Sequence, residues 1–169
     1  MKLSRNRADS WLLEAGWARA GQVAEQDNRV VMMNEHFYPL RVHFEDTDCT
    51  GVVYHANYLK FMERARSEWI DSLGIGADWR ESAGVHFLVH SLRIQFMQPA
   101  RLHDRIEVVS RILSVRAASI IFDQCLRLDS MPDKILCRAE IKIACVDKDM
   151  LPRAIPEAPI LESIRRSLS

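Results

Sequence analysis

Hydrophobic and polar positions begin to alternate regularly after residue 37. Leu40, Val42 and Phe44 alternate with charged or imidazole side chains, a pattern typical of a half-buried strand. Residues 46–51 follow, and most of them are small polar residues that bond their own backbone or accept unusual dihedral angles. The pattern therefore predicts a strand that includes Phe44 and ends in a polar turn.

A different period begins at Asn57, which is a suitable N-cap for a helix. Apolar residues then recur at steps of four and three, and further apolar side chains widen the stripe that they form. The first set is Tyr58, Met62, Ala65, Trp69 and Leu73, and the second set is Leu59, Phe61 and Ile70. So wide a stripe predicts a helix that is buried along much of its circumference and that ends at Gly74 and Gly76.

The residues after this helix are typical of strands. Four segments carry alternating apolar positions, and the short polar breaks between them suit antiparallel connections. Their apolar residues are Phe87, Val89, Ile94 and Phe96 in the first, Ile106, Val108 and Ile112 in the second, Ile120, Phe122 and Leu126 in the third, and residues 139–145 in the fourth. One long helix inserted after the first of five strands predicts an α+β fold, with a curved antiparallel sheet wrapped around the helix.

Two segments flank this patterned region, which we expect to form one domain over residues 35–156. Residues 1–34 contain an apolar group around Trp11 and Trp17 that glycines interrupt. They are interpreted as an N-terminal extension, either a short helix or a segment without ordered structure. Prolines break the pattern after residue 151, and residues 157–169 are then expected to form a short polar tail helix.

Composition limits the class of protein. Of the 169 residues, 48% are hydrophobic and 27% are charged, which is too apolar for a disordered chain. The 23 basic and 23 acidic residues balance, whereas a general binder of nucleic acid or of anionic membranes usually carries a basic excess. No stretch approaches the roughly 20 apolar residues of a spanning helix, and no apolar signal core opens the chain. We expect a cytoplasmic protein with no nucleic-acid partner and no stable membrane insertion.

The four cysteines do not indicate a metal finger or a redox pair. Cys49, Cys125, Cys137 and Cys145 have no C-x-x-C spacing. Cys137 and Cys145 share the parity of the apolar residues in the last strand, which predicts buried thiols rather than disulfides or metal ligands. Arg138 alternates with that apolar set, so we expect it on a wetter face of the sheet.

The densest cluster of polar side chains spans residues 43–55, where a strand end, an acidic turn and a helix start follow one another. A loop carboxylate can attack a carbonyl carbon or activate a water. The free N–H groups and positive dipole end of a helix can hold the oxyanion that develops. The cluster therefore suits attack on a carbonyl group. Its histidines and aspartates match no metal-binding spacing, so we predict no metal.

Four short motifs in and after this cluster resemble those of the hotdog-fold acyl-CoA thioesterases. They are EDTD at residues 45–48, GVVYH at 51–55, NYL at 57–59 and ERAR at 63–66. The resemblance is greatest to the tol-pal-associated acyl-CoA thioesterase branch, with the 4-hydroxybenzoyl-CoA thioesterases as relatives. It covers residues 37–156, including FMQPA at 96–100 followed by Asp104. It implies a hotdog fold and hydrolysis of an acyl-CoA thioester, without a metal or another cofactor.

The resemblance also implies a role for each motif residue near the helix start. Asp48 matches the catalytic carboxylate, which acts in the family either as a nucleophile through an acyl-enzyme anhydride or as a general base toward water. His55 matches the residue whose backbone N–H polarises the thioester carbonyl, and its imidazole either binds substrate or carries a proton. Tyr54 and Gly51 match positions that shape the substrate site, and Gly51 allows the loop to turn sharply.

Glu63 is the reserve candidate for the catalytic carboxylate. It lies about two helical turns beyond His55, and another branch of the hotdog thioesterases uses a helix carboxylate as its catalyst. The alternative for Glu63 is an ion pair with Arg66 or with a neighbouring subunit. The alternative for Asp48 is a turn residue that caps its own loop.

Coenzyme A carries phosphates, which basic residues bind. Residues 99–119 contain four arginines and two acidic residues. Arg116 and Ser119 lie at a turn where related enzymes bind coenzyme A, although Ala117 and Ala118 stand where some relatives carry a longer basic run. By resemblance we also expect a homo-oligomer, either a dimer or a homotetramer built as a dimer of dimers, with the active site between subunits.

Two other functions remain as alternatives. The first is a hotdog hydratase or dehydratase of acyl thioesters, which moves protons on the acyl chain rather than releasing the thiol. The second is a non-catalytic module that binds acyl-CoA or acyl-carrier protein and acts through partners at the cell envelope. The presence of Asp48 argues against the second.

Overall fold

The computed structural model describes residues 35–158 and, in the tail, residues 161, 162, 164, 165 and 168. Its strands are β1 (Glu35–Arg41), β2 (His86–Phe96), β3 (Arg105–Arg116), β4 (Ser119–Leu128) and β5 (Met131–Val146). Its helices are α1 (His55–Ser72) and α2 (Ala77–Ala83), and a 3-10 turn spans Phe44–Asp46. The extension expected over residues 1–34 lies outside the described residues.

The five strands form one antiparallel sheet in the order β1-β3-β4-β5-β2. Consecutive hairpins join β3, β4 and β5, while β1 and β2 occupy the two edges. Register shifts interrupt three of the four pairings, and bulges of this kind increase the twist that lets a sheet curve. The predicted α+β arrangement is confirmed.

The buried side of α1 packs across one face of the sheet and forms the core with it. Phe61, Met62, Ala65 and Trp69 are almost fully buried, and the ring of Trp69 meets that of Phe122 edge-on at 5.9 Å between centroids. Burial of a large apolar side chain contributes about 1.5–3 kcal/mol, so this helix face supplies much of the stability. The predicted wide apolar stripe is confirmed.

The end of the first strand differs from the prediction. β1 ends at Arg41, and Phe44 lies in the 3-10 turn with 82% of its surface exposed. Val42 leaves the strand pairing because it bonds the loop before β3 instead. Its N–H donates to the carbonyl of Asp104 at 2.9 Å, and its carbonyl accepts from the N–H of His103 at 3.1 Å. The alternation of Val42 and Phe44 therefore does not mark one face of a strand.

The start of the long helix also differs from the prediction. α1 begins at His55, with Tyr54 as its N-cap residue, rather than after Asn57. Asn57 is buried, and its side-chain amide donates to the carbonyl of Asp46 at 2.9 Å. Its side-chain amide therefore binds the preceding loop and does not cap the helix. The short helix α2 was not predicted from the sequence pattern.

The sheet face opposite α1 carries ion pairs. Arg138, expected on a wetter face, is buried, because its Nε and Nη2 atoms each lie 2.8 Å from a carboxylate oxygen of Asp123. Beside this pair, Arg127 binds Glu107 at 2.7 Å and lies over the ring of Phe37. The prediction for Arg138 is wrong, because two hydrogen bonds to one carboxylate replace the hydrogen bonds to water that the guanidinium loses on burial.

The thiols divide into buried and exposed groups. Cys125, Cys137 and Cys145 are buried, whereas Cys49 is exposed. Burial raises the pKa of the Cys125 and Cys137 thiols to about 12 and also raises the pKa of Cys145 above its ordinary value. The prediction of buried thiols at Cys137 and Cys145 is confirmed.

The chain after β5 returns to the core. Leu161 and Ile164 are buried in the same cluster as α1, and the described tail residues Leu161, Glu162, Ile164 and Arg165 are helical. No helix in the described part of the chain is long and apolar enough to cross a membrane.

Candidate active site

The loop after β1 is held against the start of α1 by two short bridges. Thr47 pairs with Val53 inside the loop, and Val52 pairs with Arg101 in the segment before β3. Between these bridges the chain reverses at Gly51, whose φ of 77° lies in the left-handed region that only glycine adopts without strain. The N–H of Gly51 donates to the carbonyl of Asp48 at 3.0 Å, which closes the turn.

Asp48 lies in this loop with its side chain exposed to solvent. Its Oδ1 atom accepts hydrogen bonds from Thr50, one from the hydroxyl at 2.5 Å and one from the backbone N–H at 2.8 Å. These bonds favour the ionised form and hold the pKa of Asp48 below its usual range. The carboxylate is therefore oriented and charged at neutral pH.

The N-terminus of α1 has no side-chain cap. The N–H of Asn57 donates to the carbonyl of Tyr54, but the N–H groups of His55 and Ala56 bond no other described residue. An uncapped helix start combines free donors with the positive end of the helix dipole. This end of α1 can therefore accept an oxyanion.

Aromatic rings surround this helix start. The imidazole of His55 lies 4.4 Å from the ring of Tyr54 and 6.4 Å from that of Phe96, measured between centroids. Tyr54 and Phe96 each expose nearly half of their surface. Gly51, Tyr54 and His55 thus lie in, or directly after, the loop that carries Asp48.

Arg116 and Ser119 are not part of this cluster within one chain. They pair with each other at the hairpin between β3 and β4. Phe96, beside His55, lies across β5 from Leu126, which is seven residues along β4 from Ser119. Seven residues of strand span about 24 Å. Arg116 is exposed and Ser119 is buried at that distant end of the sheet.

Glu63 lies two turns along α1, away from the Asp48 loop. It forms the expected ion pair with Arg66 and accepts a hydrogen bond from the Ser67 hydroxyl at 3.3 Å. Arg66 itself is buried beneath the helix, where its Nη1 atom donates to Gln124 at 2.5 Å. Glu63 also borders a cavity of about 470 Å³ between α1 and β2.

Three residues that support the site were missed by reasoning from the sequence. Thr50 holds Asp48, Asn57 holds the carbonyl of Asp46, and the hydroxyl of Tyr58 accepts the N–H of Ala100 at 2.9 Å. Thr50 could have been found, because a polar residue two positions after an aspartate is typical of a turn closed by that aspartate. Tyr58 could not, because its spacing is that of an ordinary core residue. Among the described residues, no group of three or more potential metal ligands comes together.

Comparisons with known proteins identify the family to which the chain belongs. Residues 42–167 match the model of the thioesterase-like superfamily. The chain is 38% identical over 126 residues to the acyl-CoA thioester hydrolase YbgC of Escherichia coli O6:H1, covering 74% of this chain and 92% of that protein. It is 39% identical over 126 residues to the acyl-CoA thioesterase YbgC of Haemophilus influenzae, covering 73% and 90%. A crystal structure of a probable thioesterase from Bartonella henselae matches with a TM-score of 0.66 and 31% identity, over 72% of this chain and 99% of that one.

The curved antiparallel sheet around α1, with a polar loop at the helix start, defines a hotdog fold of the thioesterase type. This confirms the resemblance seen in the motifs. The chain belongs to the thioesterase-like superfamily, whose model matches most of its length. It is a thioester hydrolase, as its relatives are.

Proposed function

We propose that this hydrolase cleaves acyl-CoA thioesters, with Asp48 as nucleophile or general base and the N-terminus of α1 as the group that polarises the carbonyl. The observation that carries the proposal is that an exposed carboxylate with a lowered pKa and two helix N–H groups that bond no described residue lie within nine consecutive residues. The names of the YbgC relatives support coenzyme A as the carrier of the acyl group.

Two routes use this arrangement. In the covalent route, a carboxylate oxygen of Asp48 adds to the carbonyl carbon, and the resulting oxyanion faces the N–H groups of His55 and Ala56. Collapse of this intermediate expels the coenzyme A thiolate and leaves a mixed anhydride, which water splits into the free acid and the Asp48 carboxylate. In the general-base route, Asp48 takes a proton from the water that attacks the carbonyl directly. Each route consumes one water and releases one acid and one thiol.

The other motif residues fit supporting roles. Apart from its two chain neighbours, Gly51 has no heavy atom within 4 Å of the position that a Cβ would occupy, so the turn is open to solvent at Gly51. The exposed ring of Tyr54 and the imidazole of His55, 4.4 Å apart between centroids at the start of α1, are assigned to binding the substrate. Glu63 remains the reserve carboxylate, and its pairing with Arg66 favours a structural role over a catalytic one.

The active site is completed by a second copy of the chain in this proposal. Edge strand β2 pairs on one side only, and it leaves Val89, Leu92 and Phe96 roughly half exposed. A second copy that covers them can bring Arg116 and Ser119 to the site, where they meet the phosphates of coenzyme A. Sedimentation velocity at micromolar concentration is expected to show a dimer or a tetramer. A monomer under those conditions contradicts this arrangement.

A thiol-release assay over short, long and aromatic acyl-CoAs tests the reaction. We expect stoichiometric release of coenzyme A and free acid from at least one of these classes. A hydratase instead adds water to crotonyl-CoA without releasing thiol, and a binding module binds the esters without turnover. Either of those results overturns the proposal, and parallel reactions with acyl-carrier-protein thioesters identify the carrier.

The pH dependence of the reaction is expected to follow the hydrogen bonds at Asp48. Because Thr50 lowers the pKa of Asp48, the wild-type kcat/KM declines only as the pH falls below the usual aspartate range of about 4. Thr50→Val removes the hydroxyl bond, so the pKa rises and the acidic limb moves to higher pH, while the rate near neutral pH is kept. Thr47→Val is the matched control, because that hydroxyl bonds the carbonyl of Phe44 instead. If the acidic decline of kcat/KM stays at the wild-type pH in Thr50→Val as well as in Thr47→Val, its assignment to Asp48 is wrong.

A further inference from the structure

We infer that Asn57 and Tyr58 are positioning residues for the reaction, because their side chains set the offset between the helix N–H groups and the Asp48 loop. This inference rests on the proposed function, in which those two features act together on one carbonyl. Neither side chain can touch the substrate, since Asn57 is only 6% exposed and Tyr58 only 3%.

Asn57 ties the first turn of α1 to the beginning of the loop. Its amide nitrogen donates to the carbonyl of Asp46 at 2.9 Å, and the same carbonyl accepts the N–H of Tyr54 at 2.9 Å. The carboxylate of Asp46 in turn accepts the N–H of His43 at 2.8 Å. One carbonyl therefore links the last residue before the helix, the first helical turn and the residue two positions before Asp48.

Tyr58 connects the same turn of α1, through the segment before β3, to the C-terminal end of the loop. Its hydroxyl accepts the N–H of Ala100 at 2.9 Å, and the carbonyl of Ala100 accepts the N–H of Val53 at 2.9 Å. The next residue, Arg101, pairs with Val52. The segment before β3 is thus fixed to the helix by Tyr58 and to the Asp48 loop by its backbone.

The two side-chain connections reach opposite ends of the loop. One joins α1 to residue 46 and the other joins it, through Ala100, to residue 53, and Asp48 lies on the segment between them. The helix has no side-chain cap of its own to fix its start. Attack on a carbonyl held by the helix requires reacting atoms about 3–3.5 Å apart, and a shift of 1 Å can reduce the rate about 100-fold. Side chains that fix this offset therefore control kcat.

The test measures kcat and KM for Asn57→Leu and Tyr58→Phe, with the acyl-CoA that the wild type hydrolyses fastest. Leucine matches the shape of asparagine, and the carbonyl of Asp46 keeps its bond to Tyr54, so no buried acceptor is left unpaired. We expect each variant to lower kcat roughly 10- to 100-fold, with KM within about twofold of the wild type.

Ser110→Ala is the matched control for a loss of stability alone. Its hydroxyl is fully buried beneath α1 and accepts from the side chain of Gln124 at 2.7 Å, away from the Asp48 loop. We expect this variant to lower the melting temperature and to keep kcat. A kcat near wild type in Asn57→Leu, or an equal fall in Ser110→Ala, overturns the inference, and Asn57→Leu decides the matter if Tyr58→Phe does not fold.

Failure of the inference is distinguishable from failure of the proposed function. If the wild type releases thiol and Asp48→Asn does not, but Asn57→Leu is fully active, only the positioning role is wrong. If Asp48→Asn retains full activity, the proposed catalytic role of Asp48 is wrong, and if the wild type releases no thiol, the proposed function itself is wrong.

Discussion

Replacing Asp48 with asparagine is expected to reduce kcat for thioester hydrolysis by about 10²- to 10⁴-fold. The amide is a far weaker nucleophile and base than the carboxylate, so either route loses its attacking group. Its carbonyl oxygen can still accept the bonds from Thr50, so the loop keeps its shape. Because the side chain is exposed, the melting temperature and the oligomeric state are expected to match those of the wild type. Thiol release under substrate saturation measures the effect.

Two carboxylates serve as controls for this prediction. Glu45 is an exposed carboxylate in the same loop, so Glu45→Gln changes the local charge equally and is expected to leave kcat unchanged. Glu63→Gln tests the reserve candidate on α1. A large loss of kcat in Glu63→Gln together with full activity in Asp48→Asn transfers the catalytic role to the helix carboxylate.

Arg138→Met is expected to reduce the free energy of unfolding by about 3–5 kcal/mol. The guanidinium of Arg138 binds both carboxylate oxygens of Asp123, and Asp123 is only 4% exposed. Removing the arginine leaves a buried carboxylate without that bidentate partner, and the uncompensated charge is the source of the loss. Urea denaturation at a fixed protein concentration measures it.

The double variant Arg138→Met with Asp123→Leu separates this explanation from a simple loss of packing. With both charges of this pair removed, neither partner leaves an uncompensated charge behind, and we expect most of the lost stability to return. Arg127→Met is the control, because its partner Glu107 is about 20% exposed and water can solvate it. That single change is expected to lose only about 1–2 kcal/mol, including the contact with Phe37. If the double variant is as unstable as Arg138→Met, packing is the cause.

The secondary structure was largely predictable because most of the buried apolar side chains of the helix and the strands pack into one core. α1 lies on one face of the sheet, so its apolar stripe and the alternating residues of the strands record the same core from two sides. Phe44 and Arg138 are two of the exceptions, and both depend on a partner distant in sequence. Val42 leaves the β1 pairing for a bond to Asp104, and Arg138 is buried because Asp123 lies beside it. The alternation of polar and apolar residues within one segment cannot indicate a partner from another segment.

The candidate site was predictable only in part. Asp48, Gly51, Tyr54 and His55 lie within eight consecutive residues, so a local motif could bring them together. Some of the hydrogen bonds that hold this loop join residues distant in sequence, such as Tyr58 and Ala100, and no periodicity of the sequence indicates such bonds. Arg116 illustrates the opposite problem, because the hairpin that carries it lies at the far end of the sheet. Its place in a site depends on a second copy of the chain.

The division of the thiols has a practical consequence for studying this enzyme. Cys125, Cys137 and Cys145 are buried with raised pKa values, so they carry almost no thiolate at neutral pH, whereas Cys49 is exposed beside Asp48. A maleimide dye is therefore expected to attach at one position, and that position lies beside Asp48 in the loop before α1. The native sequence therefore already provides a single site for a fluorescent label at Cys49, and a dye attached there can record movement of this loop without any engineered cysteine.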